Sequence, residues 1–78
     1  METEDRGITY EDGAGYSERT VIVRGDGFAA VVLLDANGKA INNHESFEID
    51  GIENWESVAN NDAMLGMQIC EAAESVAR

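Results

Sequence analysis

The sequence predicts an α+β fold: a three-stranded antiparallel sheet followed by one short and one longer helix packed on one face. Three observations lead there. Two β-rich runs, SERTVIVR at 17–24 and FAAVVLL at 28–34, are separated by Gly25-Asp26-Gly27, a tight reversal. Asp35-Ala36-Asn37-Gly38 then carries turn chemistry between two further runs. Beyond it, Leu65, Ile69, Ala72 and Val76 recur at spacings of four, three and four, the period of an amphipathic helix. Strands followed by helices pack most simply as one sheet with a single helical layer.

Taken in order, residues 1–16 (METEDRGITYEDGAGY) form an acidic, glycine-rich arm, expected to fray as termini do, with Ile8 and Tyr10 offering one face of an edge strand as the alternative. Residues 17–78 form the domain proper. In the first run Val21 and Val23 point one way and Thr20 and Ile22 the other. In the second, Phe28, Ala30, Val32 and Leu34 share one face and Ala29, Val31 and Leu33 the other. A strand apolar on both faces sits mid-sheet or has its second face covered, and self-association as a dimer would cover it. Asp35 and Gly38 suit the first and last positions of a type I turn. A third strand is expected within 39–49, with Ile41, Asn43, Glu45, Phe47 and Ile49 on one face and a bulge or break near Asn42-Asn43-His44. Asp50-Gly51 ends it. A short helix is expected over 53–60 and a longer one from Asn61 or Asp62, both good caps. Gly66 weakens the first turn of the second helix.

Bulk properties narrow the function. A chain of 78 residues suits one domain. At this size roughly 60% of the unfolded surface is buried, so the core is thin. Hydrophobic residues make up 44%, ordinary for a folded domain. Sixteen Asp and Glu against five Lys and Arg give a net charge of −11. That balance repels phosphates, so direct binding of nucleic acid or of an anionic membrane is not expected. The longest apolar run, Phe28 to Leu34, is far short of a membrane span, and the acidic N-terminus lacks the features of a signal peptide. One cysteine excludes an intrachain disulfide and fits a reducing cytoplasm.

The residues do not assemble a catalytic, cofactor or metal site. His44 and Cys70 are a nucleophile and a base with nothing in the sequence to orient them, and the apolar and acidic neighbours of Cys70 would raise its pKa. Asp35-x-Asn37-Gly38 departs from a calcium loop, which needs Gly at its sixth position and Glu at its twelfth. Gly25-x-Gly27 lacks the Lys and helix start of a phosphate loop. The chain therefore reads as a non-enzymatic module without a cofactor.

Its acids are unevenly placed. From Ala40 to Ala77 there are eight, Glu45, Glu48, Asp50, Glu53, Glu56, Asp62, Glu71 and Glu74, with no Lys or Arg between them. The first five crowd the strand-to-helix connection, where mutual repulsion adds nothing to folding. Glu45, Glu48, Asp50, Glu53 and Glu56 are therefore the expected contact surface for a basic partner, a protein or nucleoprotein. Trp55, inside this cluster, is either an exposed anchor for an Arg-rich surface or a large residue of a small core.

In size, acidity and layout the chain resembles phage-encoded inhibitors, among them anti-CRISPR proteins and other proteins that imitate the charge of nucleic acid. That resemblance implies an inhibitor that blocks the nucleic-acid-binding surface of a bacterial defence complex such as a CRISPR effector, in the host cytoplasm. The alternative is a small homodimeric structural or accessory protein whose acidity serves solubility.

Overall fold

A computed structural model describes residues 1–42 and 46–78. Its principal sheet has three antiparallel strands in chain order: β1 (Glu2–Glu11), β2 (Ser17–Gly25) and β3 (Phe28–Leu34). A second, two-stranded hairpin follows, β4 (Glu48–Ile49) with β5 (Ile52–Glu53). Two helices close the chain, α1 (Trp55–Ala59) and α2 (Ala63–Val76). The expected α+β architecture, with a short and a longer helix on a three-stranded sheet, is present.

Two of the three strands are the β-rich runs. They pair from Arg19↔Leu34 to Gly25↔Phe28, so Asp26-Gly27 is a two-residue connection, with Gly27 at φ 80°. The third strand differs from expectation. It is not drawn from 39–49; the acidic arm supplies it. β1 pairs with β2 from Glu2↔Arg24 to Glu11↔Ser17, and two register irregularities, between Asp5 and Ile8 and between Ile8 and Tyr10, interrupt the ladder. The arm does not fray because β2 fixes it through more than its backbone. Arg24 reaches Glu4 at 2.7 Å, Arg19 reaches Asp5 at 2.8 Å, and the Thr9 hydroxyl meets the buried Thr20 hydroxyl at 2.7 Å.

After β3 the Asp35 turn forms as read. Gly38 N–H donates to Asp35 O (2.9 Å), Asp35 N–H donates to Lys39 O (2.8 Å), and Gly38 takes φ 79°. Beyond the turn, pairing lasts only through Ala40, bridged to Leu34, and the Ile41 N–H bond to Leu33 O. The face expected to hold Asn43 and Glu45, and the expected break near His44, lie outside the described residues.

One core lies between sheet and helices. Val21, Val23, Ala30, Val32 and Leu34 from the sheet meet Ile69 and Ala73 from α2. Leu65, Ala72 and Val76, the rest of the helical stripe, pack at its border with Phe28, Trp55 and Val58. The helix break falls where the capping residues stand. Asp62 is the N-cap of α2, its carboxylate accepting from Leu65 N–H at 3.1 Å. The short helix starts at Trp55 rather than at residue 53, because Ile52 and Glu53 belong to β5 and Asn54 is its N-cap.

The second face of the sheet is also closed. Ile22 and Val31 are fully buried, yet neither belongs to the core beneath the helices. The β4–β5 hairpin explains this. Its base is fixed at the free edge of β3, where Asn54 bridges Val31. Its tip residue Asp50 is bound to Arg6 of β1 at 2.7 Å. Since β2 lies between β3 and β1, the hairpin has to cross over Ile22. Of the residues on which a dimer was expected, Val31 is thereby covered within one chain, while Ala29 and Leu33 are half-buried.

Candidate functional site

Of the six residues expected at the acidic surface, the five that are described take different roles. Glu48 and Glu53 stand directly opposite each other across the β4–β5 pair, and both are exposed. Neither side chain has an ion-pair or hydrogen-bond partner among the described residues. Asp50 sits between them at the hairpin tip, at φ 54°, next to Gly51 at φ 79°. Two consecutive positive φ values are what a two-residue hairpin turn matching the strand twist requires, and Asp-Gly is a favoured pair for it. Asp50 is thus committed to the turn and to Arg6, which reaches it at 2.7 Å. Glu45 lies outside the described residues. Glu56 lies in the first turn of α1 and is half-buried.

Trp55 belongs to the core, which decides between its two readings. Its ring packs against the sheet–helix cluster, and its indole N–H donates to Ile41 O at 3.3 Å. It is half-buried against that core.

Basic side chains are gathered elsewhere. Arg6 joins Glu4 (2.8 Å) and Asp50 (2.7 Å), Arg24 joins Glu4 (2.7 Å) and Arg19 joins Asp5 (2.8 Å). Hydrogen bonds from Arg24 and then Arg6 hold the Glu4 carboxyl below its usual range. The Gly7 N–H, followed by Arg19, does the same for Asp5. Among the described residues, all four ion pairs have a member in β1, and of the hairpin acids only Asp50 takes part in one.

Sequence reading passed over a second surface feature. Tyr10 and Tyr16 meet edge to face, with centroids 6.0 Å apart and planes at 65°. Both residues are exposed, at 51% and 42%. The connection between β1 and β2 fixes them. Asp12 Oδ1 accepts from Ala14 N–H (2.8 Å) and Tyr16 N–H (3.1 Å), Asp12 N–H donates to Tyr16 O (3.2 Å), and the Tyr16 phenol donates to Glu18. That bond, with the nearby negative charges, pushes the Tyr16 pKa up to about 12. The available signal was a pair of tyrosines flanking Asp12-Gly13-Ala14-Gly15, a turn sequence that brings them together.

Among the described residues, groups suited to covalent or metal chemistry do not converge; His44 lies outside them. The Cys70 thiol is half-buried on α2 and pushed up to about 11, chiefly by burial and then by Glu74 and Glu56. The Asp35 carboxylate is occupied by the N–H groups of Asn37 (2.9 Å) and Lys39 (3.0 Å), as a turn requires. Among the described residues, no three His, Cys, Asp or Glu side chains stand together as a metal site. No described helix is long and apolar enough to cross a membrane. A shallow open groove is lined by Met1, Glu2, Arg24, Gly25 and Asp26, a mixed-charge rim without a nucleophile. Compared with protein-family models, curated proteins and solved structures, the chain matches none.

Proposed function

We propose that the protein is a non-enzymatic acidic binding module whose partner presents a basic surface. One observation carries this reading. Glu48 and Glu53 oppose each other across a hairpin, exposed and without a counter-ion among the described residues, in a chain of net charge −11. Like charges directly opposite on paired strands destabilise the pair. Folding gains nothing from them, whereas a cationic surface would relieve their repulsion and be steered toward them. The acidic inhibitors that the chain resembles would make that surface the nucleic-acid site of a bacterial defence complex.

The test is affinity capture from a bacterial lysate that carries nucleic-acid defence systems, with two double variants of equal charge change. Glu48→Lys/Glu53→Lys alters the hairpin; Glu2→Lys/Asp26→Lys alters acids at the other end of the sheet. Partners held by the hairpin should bind at low salt, elute at high salt, and be lost with the first variant while surviving the second. Equal loss with both variants would reduce the effect to bulk charge and overturn the hairpin as a surface.

A further inference from the structure

The Tyr10–Tyr16 corner stands apart from the buried core, and both residues are exposed, Tyr10 at 51% and Tyr16 at 42%. It is nevertheless fixed by three loop hydrogen bonds and by the phenol bond to Glu18. Rigid exposed aromatics supply contact area at small entropic cost, which is why tyrosine and arginine are frequent anchors at interfaces. Its surroundings are negative: Glu18 and Asp35 both act on the Tyr16 phenol, and Glu11 and Asp12 adjoin it in sequence. The nearest basic residue in sequence, Arg19, does not compete. Strand alternation turns it to the opposite face from Glu18, and Asp5 holds it there at 2.8 Å.

We infer that this corner is the seat for an arginine side chain of the basic partner, the guanidinium lying against a tyrosine ring with Glu18 as its counter-charge. This deepens the reading as an acidic module and rests on it. Arginine fits better than lysine because its guanidinium is planar, stacks on aromatic faces and is more weakly hydrated than an ammonium group. The hairpin acids lack any such discrimination, since an uncompensated carboxylate pair attracts either cation.

The experiment titrates nona-arginine and nona-lysine into the isotopically labelled protein at low salt, following the Tyr10 and Tyr16 ring resonances. The wild type should bind the arginine peptide about two- to five-fold more tightly than the lysine peptide, the range an exposed cation–π contact supports. Both tyrosine rings should shift with arginine. In Tyr10→Ser/Tyr16→Ser the preference should vanish through weaker arginine binding, with lysine binding unchanged. Glu48→Lys/Glu53→Lys should weaken both peptides and keep the preference. If both peptides bind while the tyrosine rings stay silent, the corner is overturned and the acidic module stands; that result needs no variant. If neither peptide binds at low salt, the acidic-module reading fails with it.

Discussion

Gly66→Ala should destabilise the protein, although helix propensity alone predicts the reverse. Gly66 lies near the start of α2 and is buried, its N–H donating to Asp62 O at 3.0 Å. In an unconstrained helix, alanine would be favoured over glycine there by about 1 kcal/mol. Here a Cβ would overlap the Cβ of Ala59 in α1 and come within 3.0 Å of the Ala59 Cα. Both atoms belong to a helix whose side chains reach the core, so neither can swing aside. Forcing a methyl group into such a contact costs roughly 1–3 kcal/mol, toward the upper end where backbone must move. The net loss should be about 1–2 kcal/mol. In a domain of this size that lowers the melting temperature by roughly 5–15 °C. Thermal unfolding followed by circular dichroism measures it. Ala59→Gly supplies the control: it removes one of the overlapping atoms, so Gly66→Ala should cost less in that background. A Gly66→Ala melt at or above wild type would mean that α1 and α2 do not meet at this point.

Two further outcomes follow from the second sheet face and from the thiol. Ile22→Ala should cost about 2–5 kcal/mol in urea unfolding, because Ile22 is fully buried beneath the hairpin. A cost under about 1 kcal/mol would mean that the hairpin leaves this face open. Cys70, with its pKa pushed up to about 11 mainly by burial, should react slowly with a soluble disulfide reagent near neutral pH, and its rate should still climb through pH 9–10. The folded thiol holds its proton more tightly than the unfolded one, so this group's contribution to stability is complete below the unfolded pKa and fades as pH rises toward 11. A rate that levels off near pH 8 would contradict the burial.

Local chemistry made most of the domain legible, and the misses have separate causes. β2, β3, the Asp35 turn, the helix break and the α2 stripe each follow from spacing or from turn and cap residues within a few positions. β1 does not. Its only large apolar residues, Ile8 and Tyr10, stay exposed, and its ladder is twice irregular, so no alternation advertises it. What makes it a strand is distant: the free edge of β2, and Arg19 and Arg24 placed to meet Asp5 and Glu4. The β4–β5 hairpin was missed for a different reason. Ile49-Asp50-Gly51-Ile52 carries a strong local hairpin signal, but reading Asp50-Gly51 as the end of a long third strand concealed it. Trp55 shows the limit for the site. Its sequence neighbours are acids, and only the return of Ile41 to its indole N–H places it in the core.

The charge distribution separates folding from recognition. Exposed ion pairs contribute roughly 0–1 kcal/mol each, so the four around β1 cannot be what holds the domain together. Their effect is positional: they fix an edge strand and the hairpin tip, and in doing so they occupy Arg6, Arg19 and Arg24. What remains is an acidic excess spread over the hairpin, the helices and the Tyr10–Tyr16 corner. Spread charge raises encounter rates with any cationic surface but selects poorly among such surfaces, because rim charges mostly steer. Selection needs a contact that is short-ranged and depends on shape. On the proposed reading, the hairpin would attract a cation of any kind, whereas the two rings beside Glu18 would distinguish a flat guanidinium from a compact ammonium group. An acidic module with only the first feature would bind basic proteins indiscriminately and release them with salt. The second would give it a means of choosing.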